Sequence, residues 1–194
     1  MKHKLRLLTL TSFFLTVLSA QEVKPFVKEG RISSGYGYSN GVENTKSGSS
    51  IFVQMDYQVS PKFSVATEFE NMNYKAPGYY PDLPISPNVQ KLYDDNYSLL
   101  IKYHLPINSK LRAALASGWT FYTRQTEYYD YYKDPSGDVV TYRITSFSDF
   151  GIPFLLETQY PVWKNLNAGV RVKCNKNPLR GSTYSAGLQV SIKL

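Results

Sequence analysis

The twelve residues Thr183-Tyr-Ser-Ala-Gly-Leu-Gln-Val-Ser-Ile-Lys-Leu194 constrain the fold more than any other stretch. Tyr184, Ala186, Leu188, Val190, Ile192 and Leu194 occupy every second position, and Thr183, Ser185, Gly187, Gln189, Ser191 and Lys193 fill the positions between. A period of two is that of a β-strand, whose successive side chains point to opposite faces. This strand reaches the last residue of the sequence. As the edge of an open sheet it would present a row of unpaired backbone groups. Pairing with the first strand instead would close the sheet and leave no edge.

The opening of the chain reads as an export signal rather than as part of a fold. Met1-Lys-His-Lys-Leu-Arg6 is basic, Leu7 to Leu18 is an apolar run too short to span a bilayer as a helix, and Leu18-Ser-Ala20 is a small-residue cleavage site before Gln21. The expected organisation is therefore a signal peptide over residues 1–20 and one domain over 21–194, a one-domain length. The formal charge of +7 falls to about +4 when Lys2, Lys4 and Arg6 leave with the signal, too little to argue for nucleic acid. Cys174 is the only cysteine, so no disulfide framework is available. The chain contains 17 Tyr, 10 Phe and 2 Trp, a content that favours strands.

The alternating pattern recurs and predicts eight strands: Gly30–Ser39, Ser49–Val59, Phe63–Tyr74, Asn96–Leu105, Lys110–Thr123, Asp149–Tyr160, Leu166–Asn175 and Thr183–Leu194. Long connections follow the first, third and fifth, and short ones the second, fourth and sixth, which is the antiparallel up-and-down order. Pro77, Pro81, Pro84 and Pro87 forbid a regular ladder in the connection from Lys75 to about Asp95. The connection from Arg124 to Ser148 turns at Asp134-Pro-Ser-Gly-Asp138, and its flanks suit a hairpin prolonged beyond the barrel. Pro153 lacks a ladder donor, so a bulge is expected near Gly151.

Alternation does not say which face looks outward, and function turns on that choice. The polar face is mostly Gly, Ser, Ala, Asn and Gln, small residues that suit the filled interior of an eight-stranded barrel. Its charges carry both signs. Asp56, Glu68, Lys102, Arg112, Glu157 and Arg171 fall at low to middle heights, acidic strands beside basic ones, as a buried network would require. The apolar face has aromatics near both ends: Tyr57, Phe63, Tyr103, Tyr160 and Trp163 by the short turns, and Tyr38, Phe69, Tyr97, Trp119, Phe150 and Tyr184 toward the long loops. Two aromatic girdles around an apolar band mark a membrane barrel. The predicted fold is all-β, an eight-stranded antiparallel up-and-down transmembrane β-barrel.

The end Gly187-Leu-Gln-Val-Ser-Ile-Lys-Leu194 resembles the β-signal of bacterial outer-membrane proteins, a glycine followed by alternating apolar positions to the terminus, with Leu194 where the family usually ends in Phe. The chain after residue 20 is thus similar to the small outer-membrane barrels of the OmpX/OmpA transmembrane type. That resemblance implies a place in the cell outer membrane among its lipids and lipopolysaccharide, and insertion by barrel-assembly machinery. It does not imply one activity.

No catalytic constellation stands out, and no cofactor or metal set is expected. His104 reads as a lumenal hydrogen-bonding residue; Asp94-Asp95 and Asp130/Asp134 read as solvated loop charges. Tyr79, Tyr80, Tyr128, Tyr129, Tyr131 and Tyr132 lie beyond the upper girdle and suit a recognition surface for a surface ligand, or contact with lipopolysaccharide headgroups. The expectation is a non-enzymatic barrel with an envelope-structural or surface-interaction role. The alternative is a soluble exported eight-stranded barrel that binds an apolar ligand in its lumen.

Overall fold

A computed structural model describes residues 29–41, 46–76, 90–107, 111–134, 137–177 and 181–194. Eight strands follow one another: β1 (Gly30–Asn40), β2 (Lys46–Gln58), β3 (Phe63–Ala76), β4 (Gln90–Leu105), β5 (Arg112–Asp134), β6 (Gly137–Pro161), β7 (Leu166–Asn177) and β8 (Gly181–Lys193). Each pairs antiparallel with its sequence neighbours, and β8 returns to β1, so the sheet is a closed barrel in simple up-and-down order. The closing ladder runs from Arg31 opposite Lys193 to Asn40 opposite Tyr184. The alternating stretch at the end of the chain thus has partners on both sides.

The fifth and sixth strands run on past Thr123 and Asp149 as the prolonged hairpin that the flanks Glu127–Tyr132 and Val139–Ile144 suited: β5 is 23 and β6 is 25 residues long, paired without a register change from Arg112 opposite Gln159 to Asp134 opposite Gly137. Two features depart from the sequence expectation. β4 starts at Gln90, directly after the proline-rich residues and before any apolar alternation begins. The bulge expected near Gly151 is absent. Ser117 faces Phe154 and Thr120 faces Gly151 in one unbroken register, and the pairing merely lapses between them. Pro153 sits in that lapse, where its missing N–H is needed, while on the other side it still faces Asn175 of β7. The register shifts instead between Lys46 and Gly48 of β2.

The ends of the barrel differ. Ser60-Pro61-Lys62 is a tight turn in which Val59 N–H donates to the Phe63 carbonyl at 3.0 Å and Phe63 N–H to Ser60 Oγ at 3.0 Å. Trp163 N–H donates to the Leu166 carbonyl at 3.0 Å in the equally short β6–β7 turn. The opposite end carries the long β5–β6 hairpin.

The orientation left open by alternation is explicit in the structure. Leu99, Val170 and Val190 are 46%, 50% and 46% exposed on the outside, while Glu68 and Arg171 are 3% and 2% exposed in the lumen. The exterior is a belt of Ile, Leu, Val, Phe, Tyr and Trp. A contiguous apolar surface of that extent is far beyond the few hundred Å² that soluble monomers show. Such a surface suits hydrocarbon, where a closed barrel pairs its strands on both sides and leaves no free sheet edge. The aromatics of the two girdles meet across strands: Phe63 and Tyr103 have ring centroids 5.3 Å apart, Phe69 and Tyr97 5.1 Å, and Phe121 and Phe150 5.3 Å.

Candidate functional site: a charged lumen and a projecting hairpin

Inward positions of all eight strands are small or polar except where a large side chain fills the bore. Phe52 is one such side chain. A Cβ on Gly35 would come within 2.5 Å of its ring, so the glycine makes the space that the phenyl group occupies. The Arg171 guanidinium lies over the ring, 3.7 Å from its centroid. Higher up, Met72 and Tyr74 are fully buried in the lumen.

The charges form layers along the bore. Lowest inside the wall, Lys102 Nζ lies 2.7 Å from Asp56 Oδ1 and 2.7 Å from Glu157 Oε1, and Gln54 Nε2 donates to Asp56 Oδ2 at 2.7 Å. In the middle, Arg171 Nη1 donates to Glu68 Oε2 at 2.7 Å. Lys173 Nζ donates to Glu68 Oε1 at 2.5 Å, to Glu70 Oε2 at 2.9 Å and to Ser98 Oγ at 3.2 Å. Ser185 Oγ completes this layer by donating to Glu70 Oε1 at 2.7 Å. Toward the long-loop end, Arg124 grips Asp94 through two 2.6 Å hydrogen bonds. These are charge-assisted bonds in a dry environment, the strong kind.

Of the six charges expected to form a network, Asp56, Lys102 and Glu157 meet in one layer and Glu68 and Arg171 in the next. Arg112 stands apart: its side chain is 46% exposed at the short-turn mouth and its nearest acid is Glu29 at 3.9 Å. The partners also differ from those expected. Pairing was expected around the wall between neighbouring strands, yet Glu157 is directly opposite Arg171 in register while Arg171 reaches across the bore to Glu68. In a narrow lumen a long side chain meets the far wall sooner than it can curl back to its neighbour. Glu70 and Lys173, on the same inward faces as Glu68 and Arg171, belong to the network and were readable by their parity. Asp94 is not a solvated loop charge; it is buried in β4 beneath Arg124.

Glu29, just ahead of β1, anchors the short-turn mouth. It accepts from Lys193 Nζ at 2.6 Å and from Arg31 Nη2 at 2.8 Å, so the lead-in to the first strand is tied to the last. Burial pushes its carboxyl upward, but the hydrogen bonds and charges of Lys193 and Arg31 outweigh this and hold it below the usual carboxylate range. His104 Nε2 and Ser64 Oγ are 2.6 Å apart, but Ser64 is buried in the wall and closed to substrate.

Side chains of the described residues fill much of the bore. The space lined by Asp94, Asn96, Thr120, Tyr122, Arg124 and Asn175 holds about 20 Å³, enough for a single water. A space of that size does not hold an apolar ligand.

Of the tyrosines expected to form a recognition surface, Tyr79 and Tyr80 lie outside the described residues. Tyr128, Tyr129, Tyr131 and Tyr132 lie on β5, opposite Arg143, Tyr142, Val140 and Val139 of β6. The β4 ladder ends at Lys91 opposite Glu127, and the β7 ladder begins at Lys176 opposite Ile152. Past those points no other strand pairs with the hairpin among the described residues.

No family model matches the sequence, and no curated protein sequence does. Among solved structures the chain is similar to Ail, the attachment invasion locus protein of Yersinia pestis, in complex with the heparin analogue sucrose octasulfate. The identity is 13% and the TM-score 0.58, over 87% of this chain and 100% of that one. It is similar to the outer membrane protein OprG of Pseudomonas aeruginosa at 11% identity and a TM-score of 0.60, over 87% and 96%. Neisserial surface protein A follows at 15% identity and a TM-score of 0.51, over 86% and 97%. The chain has the fold of small bacterial outer-membrane barrels.

Proposed function

We propose, from that shared fold, that the protein is a non-enzymatic integral outer-membrane barrel that presents the β5–β6 hairpin and neighbouring long loops as a surface for interaction outside the cell. Residues 1–20 act as the export signal, and residues 21–194 are inserted by barrel-assembly machinery with the short turns facing the periplasm. The observation that carries this reading is the segregation of side chains, apolar ones outside and ion pairs inside. The lumen supports a role as a rigid base rather than a pore, since its charges are locked together along the bore.

The hairpin supports the interaction role. It projects beyond β4 by the residues Tyr128–Asp134, about 20 Å of strand. Tyrosine gives broad, stiff contact area with a polar tip. Lipopolysaccharide headgroups and a soluble ligand are both within reach of such an element, and Ail's complex with a sulfated sugar is one instance of a barrel of this fold that binds a ligand.

Cell fractionation tests the proposal. The protein is expected with the outer membrane, running faster on gels unboiled than boiled. A single cysteine at Gly137 in a Cys174→Ser background is expected to react with a membrane-impermeant thiol reagent on intact cells, and one at Lys62 is not. Recovery in the soluble periplasm, or equal labelling of both sites, would refute it.

A further inference from the structure

The short-turn end of the barrel is unevenly charged. Arg31 opens β1, Lys62 lies in the β2–β3 turn, Arg112 opens β5, Lys164 lies in the β6–β7 turn and Lys193 closes β8. Lys62 and Lys164 lie in turns on the rim, while Arg31, Arg112 and Lys193 keep the lumen-facing parity of their strands and gather at the mouth. Among the described residues, the acidic side chains near them are Glu29, in the mouth, and Asp56 and Glu157, which are inside and share Lys102. Glu29 is engaged by Lys193 and Arg31 and is 3.9 Å from Arg112, so one carboxylate faces three cations. Lys164 is exposed and makes no ion pair among the described residues, and the Arg112 and Lys193 side chains remain partly open.

The same end carries Trp163, 78% exposed and next to Lys164, with Tyr160 and Val162 exposed beside it. An indole at the end of an apolar belt marks the level where hydrocarbon gives way to headgroups. Lys164 therefore adjoins the lipid-facing surface at headgroup level, and the cations at the mouth add to the positive field at this end.

We infer that this rim gathers anionic phospholipid headgroups from the leaflet in which the short turns stand. The inference rests on the membrane reading above and adds a partner to it. Basic side chains at a bilayer surface attract anionic lipids over about one Debye length, roughly 8 Å in physiological salt, so the cations need not each touch a phosphate. A soluble polyanion would be met by a patch directed away from the girdle. Here Trp163 and Lys164 are sequence neighbours in one turn.

The test uses Trp119→Phe, which leaves Trp163 as the only tryptophan. The full barrel is reconstituted in phosphatidylcholine vesicles in which roughly one lipid in twenty carries bromines near the headgroup end of its chains, on either phosphatidylglycerol or phosphatidylcholine. Brominated phosphatidylglycerol is expected to quench Trp163 as if its local share were several-fold, up to about fivefold, above the bulk share. Brominated phosphatidylcholine is expected to quench at its bulk share. The excess is expected to vanish at about 1 M salt and to fall in Lys62→Gln/Lys164→Gln. Equal quenching by the two lipids at low salt would overturn the inference and leave the membrane reading standing. No quenching by either would overturn both. Should Trp119→Phe fail the gel-shift check for folding, native mass spectrometry of the unaltered barrel from equimolar lipids serves instead. Retention of phosphatidylglycerol over phosphatidylcholine is then the expected result, and equal retention the contrary one.

Discussion

Arg171 shows how single side chains hold the bore. Its guanidinium is fixed by the Glu68 carboxylate on one side and the Phe52 ring on another, and Phe52 sits where Gly35 leaves room. Removing one partner of a buried ion pair leaves the other charge stranded, at a cost of about 3 kcal/mol or more. Arg171→Met is therefore expected to lower stability by about that much in urea titrations of the folded barrel in vesicles. Glu68→Gln with Arg171→Met is expected to cost less than the sum of the two single changes, by about 0.5–3 kcal/mol. Additive costs would mean the pair is not coupled. Glu68 and Arg171 could be found from sequence because strand parity puts them on the polar face, and the same parity marks Glu70 and Lys173. What parity does not give is the partner across the bore, since Glu68 and Arg171 lie 103 residues apart and on opposite walls. Arg112 was misjudged for a related reason. It has the right parity, but at the first residue of β5 it stands in the mouth and not within the wall.

The β5–β6 hairpin behaves differently from the strands around it. Where lipid lies on one side and the lumen on the other, apolar and polar residues alternate, and the eight strands were legible in the sequence. Above the barrel the ribbon is no longer held between those two environments, so alternation fades although Tyr, Thr and Val still favour extended chain. That is why the alternating runs end at Thr123 and begin again at Asp149, and the prolonged hairpin between them was legible only from the flanks of its turn. Pro153 misled in the other direction, because a proline can leave a gap in one ladder without shifting its register. In an Arg143→Gln background, trypsin applied to intact cells is expected to cut the hairpin after Lys133, near its tip, and to leave fragments that still migrate as a compact barrel before boiling. Cutting at Lys62, or loss of the compact form after the single cut, would contradict the picture of a projection on a stable base.

For the whole molecule, closure and orientation are coupled. The barrel has no free edge because β8 pairs with β1 over ten residues, from Arg31–Lys193 to Asn40–Tyr184. Its charges are tolerable inside because each layer contains both signs. Its exterior is tolerable only in hydrocarbon, where a charge at mid-depth would cost about 2–4 kcal/mol. The central claim is that Leu99, Val170 and Val190 face lipid while Gln189 and Ser191 face the bore. Spin labels placed singly at Val170, Val190 and Gln189 in a Cys174→Ser background measure this directly, through relaxation by oxygen, which concentrates in hydrocarbon, and by a water-soluble nickel chelate. Labels at 170 and 190 are expected to respond to oxygen and little to nickel, and the label at 189 is expected to respond little to oxygen. High nickel accessibility at 170 and 190, with the oxygen response confined to 189, would contradict the account.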